Sequence, residues 1–373
     1  MLTKNERKMK KSPIFESLRV IRHVSVLLVV FLLGITSLTL PATTGSTTGT
    51  NSSLACEGPK IYDRLNPTFE PLKVKFGITP TGWSNSDDRS IDLKPPIPYQ
   101  QILSEIALSG FVGTQMSPAY PQYPDEKDLL KSELALRKVV ISEPWVGTYF
   151  TEGKEQETVE EFKRQVAFMK EMGGTKIVVA ELGGAVHQKV PPVDPLTDRP
   201  KFTEDQWKAL LEGLDDLGER ARLEGMQLVY HPHIGTGVEN LEDIHRLMKG
   251  TKPENVKLLL DTGHLYYAGV KPLEVTTEYT DRIKHVHLKN IREEVLQVSK
   301  DTGRGFLDSI RAGIFTVPGD TEGAIKFKPI LQELANAGYE GWLMVEAEQD
   351  PNKTNPLQDA LTARCYLRNV TGL

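Results

Sequence analysis

The sequence predicts an α/β chain folded as a (β/α)8 barrel. From Val74 onward, short β-rich runs alternate with amphipathic stretches of helical spacing, which implies a parallel sheet with helices outside it. The candidate strands number eight. Eight strand-helix units in about 300 residues is the size of such a barrel. A doubly wound open sheet would place a G-x-G-x-x-G turn after its first strand, and none is present here.

In chain order the predicted strands begin with Val74–Thr79, Gly113–Met116, Val139–Ser142 and Lys176–Glu181. The second four are Gln227–His231, Lys257–Asp261, Lys284–Leu288 and Gly341–Glu346. Helices are expected over Thr158–Met172, over Thr203–Glu224 and over Phe327–Ala337. Thr203 is the N-cap of the second, with Gln206 three residues on, and Gly338 closes the third. The glycine-rich stretch 292–321 reads as a long irregular insertion, of the kind that forms lids or pocket walls at the strand C-termini.

Ahead of the barrel, basic residues from Lys4 to Arg22 precede an uncharged apolar run, Val24–Leu40. Residues 1–40 therefore read as an export signal or membrane anchor, and 24–40 as the segment that would touch a membrane. The Thr, Ser and Gly that follow make 41–72 a flexible linker, leaving 73–373 as the catalytic domain. The chain has 39% hydrophobic and 25% charged residues, an ordinary soluble composition. A formal charge of -5 argues against a nucleic-acid surface and leaves a small polar molecule as the expected partner, with self-association open. Two cysteines, Cys56 and Cys365, are too few for a disulfide framework, although one bridge between them stays open.

Each of the last four strands ends in residues that bind metals. Leu228-Val-Tyr leads to His231 and His233; Leu258-Leu-Leu leads to Asp261 and, three residues on, His264. Ile283-Lys leads to His285 and His287; Leu343-Met-Val leads to Glu346 and Glu348. In a barrel these endings meet at the catalytic rim. The mixed imidazole and carboxylate shell of His231, Asp261, His287 and Glu346 suits Mn, Co, Zn or Fe(II) better than Ca or Mg.

Bland readings stand beside these. Asp261 is also a good N-cap for the next helix. His285 and His287 share one strand face, so one is a ligand and the other a packed or supporting histidine. His233 and Glu348 are alternates, supporting partners or substrate contacts, and Glu181 is either a base or a salt-bridged rim carboxylate. Trp83, Asn85 and Trp145, which follow the first and third predicted strands, are pocket walls for a polyol or ordinary packing.

At these residues the chain resembles the xylose-isomerase-like TIM barrel superfamily of sugar isomerases and epimerases, and within it the myo-inosose-2 dehydratases. Leu260-Asp-Thr-Gly-His264 and His285-Val-His-Leu-Lys289 mark the superfamily. Gly82-Trp-Ser-Asn-Ser-Asp-Asp88 belongs to the same match, and Phe315-Thr-Val-Pro-Gly-Asp320 and Glu346-Ala-Glu-Gln-Asp-Pro351 are more specific. The resemblance implies a divalent metal, Mn or Co first, held by His231, Asp261, His287 and Glu346, with His264 facing substrate. Relatives often carry Glu where His231 stands, and some carry Glu at the place of Gln115.

The implied reaction is dehydration of 2-keto-myo-inositol (scyllo-inosose) to a trihydroxycyclohexane-1,2-dione through an enediolate. His264 and Glu181 are the proton-transfer candidates, and Lys289 polarises an oxygen or helps protonate the leaving group. A metal-dependent isomerase or epimerase using the same enediolate is the alternative. A further one is an exported carbohydrate-binding barrel without catalysis. The resemblance implies a cytoplasmic protein, which the N-terminal segment contradicts.

Overall fold

Five consecutive buried positions in Ile177–Glu181 and four in each of Leu258–Asp261 and His285–Leu288 describe strands covered on both faces, as parallel strands between helices must be. In a computed structural model, which describes residues 63–373, eleven strands are formed. They are β1 (Val74–Ile78), β2 (Gly113–Thr114), β3 (Val140–Ile141), β4 (Trp145–Thr148), β5 (Lys176–Glu181), β6 (Gln227–Tyr230), β7 (Val256–Asp261), β8 (Ile283–Leu288), β9 (Asn290–Ile291), β10 (Phe315–Thr316) and β11 (Gly341–Val345). Nine of them make one sheet in the order β3-β2-β1-β11-β8-β7-β6-β5-β4. All its pairings are parallel, and the first strand lies against the last.

The two ends of that sheet, β3 and β4, are separated in sequence only by Ser142, Glu143 and Pro144. Here one barrel strand is interrupted. The Glu143 carbonyl accepts from the Met116 amide (2.9 Å), while the next carbonyl, that of Pro144, accepts from Val178 (3.2 Å). Proline has no N–H to give to a ladder. The chain thus changes partner from β2 to β5 at this point, and the sheet closes as a TIM barrel. The eight predicted strands are all present, and the addition is β4, the second half of the third barrel strand.

The helices follow the expected pattern. Glu155–Met172 and Phe327–Asn336 match within a few residues, and Glu204–Leu223 opens on a capping box between Thr203 and Gln206, worth about 1 kcal/mol. The insertion is more ordered than expected. It holds helices Glu293–Asp301 and Phe306–Arg311, and β9 pairs antiparallel with β10. Arg292 ties it together by donating to the Gly313 carbonyl (2.8 Å), Thr316 Oγ1 (3.1 Å) and Asp320 Oδ2 (2.8 Å).

Residues 1–40, read as a targeting segment, and 41–62 of the linker lie outside the described residues, as does Cys56; Cys365 is disulfide-bonded. Over 63–72 the chain is attached. Leu65 and Phe69 are buried, the Leu65 amide donates to the Val370 carbonyl, and Thr68 Oγ1 donates to the Thr371 carbonyl. No described helix is long and apolar enough to cross a membrane.

Candidate active site

Asp261, the last residue of β7, serves two purposes with its two oxygens. Oδ1 accepts from the amides of Gly263 and His264, both at 2.9 Å, and so caps the helix Thr262–Tyr267. Oδ2 is buried without a hydrogen-bond partner and lies 3.6 Å from each of His231 Nε2, His287 Nδ1 and Lys289 Nζ. The capping and ligand readings are therefore compatible.

His231 leaves β6 with Nδ1 2.8 Å from the Pro232 carbonyl, where it must be the donor, so its lone pair sits on Nε2. Burial, only partly offset by Asp261, holds its pKa down at about 4. It is a neutral ligand-competent imidazole. Glu346, after β11, places Oε2 2.8 Å from His287 Nδ1 and 3.0 Å from Lys289 Nζ. Burial opposes its charge, but His287 and Lys289 outweigh that and keep it well below the usual carboxylate range.

His231, Asp261, His264 and Glu346 bring ligand atoms within 4.8 Å of one another, and His287 touches two of the four. Two to three imidazoles, two carboxylates and an orphaned carboxylate oxygen fit a divalent cation. His233 falls in a neighbouring set with His264 and Glu348, its ring 3.9 Å from that of His264. Of the two histidines after β6, it is His231 that lies with Asp261 and Glu346.

Lys289, one residue past β8, carries its ammonium into the space between these sets. Nζ lies 2.7 Å from His264 Nε2 and 2.7 Å from Glu348 Oε2. Burial works against its charge, yet Asp261, Glu346 and Glu348 together hold it protonated. The stem passes over Gly263, where a Cβ would meet Lys289 Cγ at 2.5 Å. The glycine of the Asp-Thr-Gly-His run is there to let the lysine through. Burial and the cationic neighbours hold His264 well below its ordinary pKa, so its imidazole is neutral. Burial pushes Glu348 up, with Glu346 adding to it against the pull of Lys289.

The insertion supplies an aromatic wall. Phe306 stacks on the His264 ring at 5.9 Å and meets His233 at 5.4 Å, and Lys289 Nζ sits 4.8 Å from the centre of the Phe315 ring. His187, from the loop after β5, faces His233 with ring centres 4.8 Å apart and an unpaired Nδ1. The sequence reading missed it, because nothing about an isolated histidine in a long loop marks it.

It also missed Glu143. This carboxylate is wholly buried, with its oxygens 3.4 Å from His285 Nε2 and 3.4 Å from His287 Nε2. Burial opposes ionisation, but the two rings outweigh it and hold the carboxyl at about 2. Its signal was present, since Glu143 comes two residues after the apolar run Val139-Val-Ile141.

Three expected residues sit elsewhere or do other work, and a fourth, Asn85, is engaged through one side-chain atom only. Glu181 is saturated by Thr148 Oγ1 (2.7 Å), Thr151 Oγ1 (2.7 Å) and the amides of Phe150 and Thr151 (both 3.1 Å), which suits a turn-holding carboxylate and not a base. Trp83 is in the core, its indole N–H donating to Glu105 on the helix Tyr99–Leu108. Trp145 opens β4 opposite Val178 and packs on the interior cluster Val178, Val229 and Leu259, at the strand's start instead of at the rim. Asn85 uses Oδ1 to accept from the Asp87 and Asp88 amides, and its buried Nδ2 remains unpaired.

The model of the family described as "Xylose isomerase-like TIM barrel" matches residues 97–369. Over 306 residues the chain is 44% identical to an inosose dehydratase of Geobacillus thermodenitrificans, covering 82% of this chain and 100% of that one. It belongs to the inosose dehydratase family. An inosose dehydratase of Clostridium tetani is 43% identical over the same shares, and membership places the chain among hydro-lyases. Solved structures agree on the fold. The IolI protein with a bound zinc atom superposes with a TM-score of 0.56 at 19% identity, covering 80% of this chain and 98% of that one. A probable 3-DHS dehydratase of Bacillus anthracis gives 0.57 at 16%, covering 79% and 98%.

Proposed function

We propose that the chain dehydrates 2-keto-myo-inositol (scyllo-inosose) to a trihydroxycyclohexane-1,2-dione, with a divalent cation held by His231, Asp261, His287 and Glu346. The observation that carries the reading is the Lys289 ammonium, in contact with His264 Nε2 on one side and Glu348 on the other, at the edge of that ligand set. A β-elimination next to a ketone needs a base for the α-proton and an acid for the departing hydroxyl, and these are adjacent here.

A divalent ion bound at the cluster supplies Lewis-acid stabilisation of the negative charge that builds on the ketone oxygen. The donors favour Mn or Co, and Zn or Fe(II) are compatible with them. His264, neutral through burial, takes the α-proton. Lys289 gives a proton to the β-hydroxyl, which leaves as water, and the contact between the two returns the proton to the lysine. Phe306 and Phe315 cover this exchange from one side. The unpaired Nδ2 of Asn85 is a donor for a ring hydroxyl.

Incubation with scyllo-inosose should produce a dione absorbance that disappears on chelation and returns with Mn or Co. A chelator-insensitive dione would exclude the cation, and no dione at all would exclude the dehydratase reading.

A further inference from the structure

Glu143 is a strand ending that none of the proton-transfer steps uses. It is fully buried at the point where the third barrel strand breaks, and neither oxygen has a hydrogen-bond partner, two histidine rings at 3.4 Å being its polar neighbours. A buried carboxylate without tight partners is expensive to keep. It persists where something requires it.

Glu143 faces His285 Nε2 through Oε2 and His287 Nε2 through Oε1, both at 3.4 Å. Those ring nitrogens have no other partner among the described residues. His287 is gripped at both edges. Its Nε2 looks at Glu143, while its Nδ1 donates to Glu346 Oε2 (2.8 Å) with Asp261 Oδ2 at 3.6 Å, and a cation held there would take the place of that proton. A carboxylate behind one ring nitrogen fixes the tautomer that leaves the lone pair on the other.

We infer that Glu143 is a positioning residue: it holds His287 with Nε2 protonated, so that Nδ1 is turned toward Asp261 and Glu346 as a cation ligand, and His285 steadies its second oxygen from the layer below. This rests on the cation reading above, deepening it by one residue that touches neither ion nor substrate.

The test compares wild type with Glu143→Gln and Glu143→Asp, using Co(II) alone as probe. Wild type should bind one Co(II) per chain. Glu143→Gln should bind it on the order of ten- to a hundredfold more weakly, with a shifted visible spectrum, and Glu143→Asp should recover part of the affinity. A merely structural role would lower the melting temperature of the metal-free protein and leave affinity and spectrum alone, which overturns the inference. Two Co(II) ions per wild-type chain, one of them lost in Glu143→Gln, would also overturn it, because Glu143 would then be a ligand. A wild type that binds no Co(II) contradicts the cation reading itself. Should Glu143→Gln not fold, nitrogen-15 spectra of histidine-labelled, Zn(II)-loaded wild type decide: a proton on His287 Nε2 is expected, and one on Nδ1 overturns the inference.

Discussion

The Lys289 ammonium lies 2.7 Å from His264 Nε2, and both groups are buried. A direct contact between the acid and base of an elimination lets each turnover end in the protonation state in which it began, without a proton from solvent. It also explains why one glycine, Gly263, must sit beneath the lysine stem.

Replacing Lys289 with Met keeps the stem and removes the proton. We expect kcat to fall by about 10²–10⁴ while Co(II) binding survives, since the lysine is no ligand. Steady-state kinetics beside metal content separate the two effects. A kcat within a few-fold of wild type would remove Lys289 from the chemistry.

His231→Ala removes the β6 ligand whose Nε2 faces Asp261 Oδ2. The purified variant should retain less than stoichiometric metal after dialysis against a weak chelator. Unchanged metal content would transfer the ligand role to His233 or His264.

Glu181→Gln tests whether that carboxylate is structural. A Gln amide turns an N–H₂ toward donors that need an acceptor, and each group left unsatisfied costs about 1–3 kcal/mol. The melting temperature should drop by several degrees with little change in the pH dependence of kcat. A lost pH limb with unchanged melting would restore Glu181 as a base.

Asp359, in the first turn of the C-terminal helix Pro356–Thr371, is pushed up to about 6 by burial, with Asp320 adding to it and Arg292 and Gln349 opposing. The folded state prefers the protonated form, so no penalty exists below the ordinary value near 4, and it grows as pH rises through 6. Asp359→Asn should raise stability at pH 7.5 by on the order of 1 kcal/mol after solvent screening, and leave it unchanged at pH 4. Equal shifts at both pH values, measured by thermal melts, would contradict the assignment.

Three of the proposed ligands, His231, Asp261 and Glu346, were readable because each follows an uninterrupted apolar run, and His287 because it shares a strand face with His285; a strand end in a barrel points at one rim. Lys289 was readable as part of a motif, but its contact with His264 depends on two different strands and on Gly263. Where a strand is interrupted the signal failed. Pro144 hid β4, so Trp145 was taken for a residue beyond a strand when it begins one, and Glu143 was passed over. Glu181 lies at a legible position, but its role is set by Thr148 and Thr151, whose placement follows from the same hidden strand.

The most direct measurement is the product mass after incubating metal-loaded protein with scyllo-inosose. The account predicts a product lighter than substrate by one water, with formation slowed by about 10²–10⁴ in Lys289→Met and abolished in chelated wild type. A product of unchanged mass would contradict it and make the same site an isomerase.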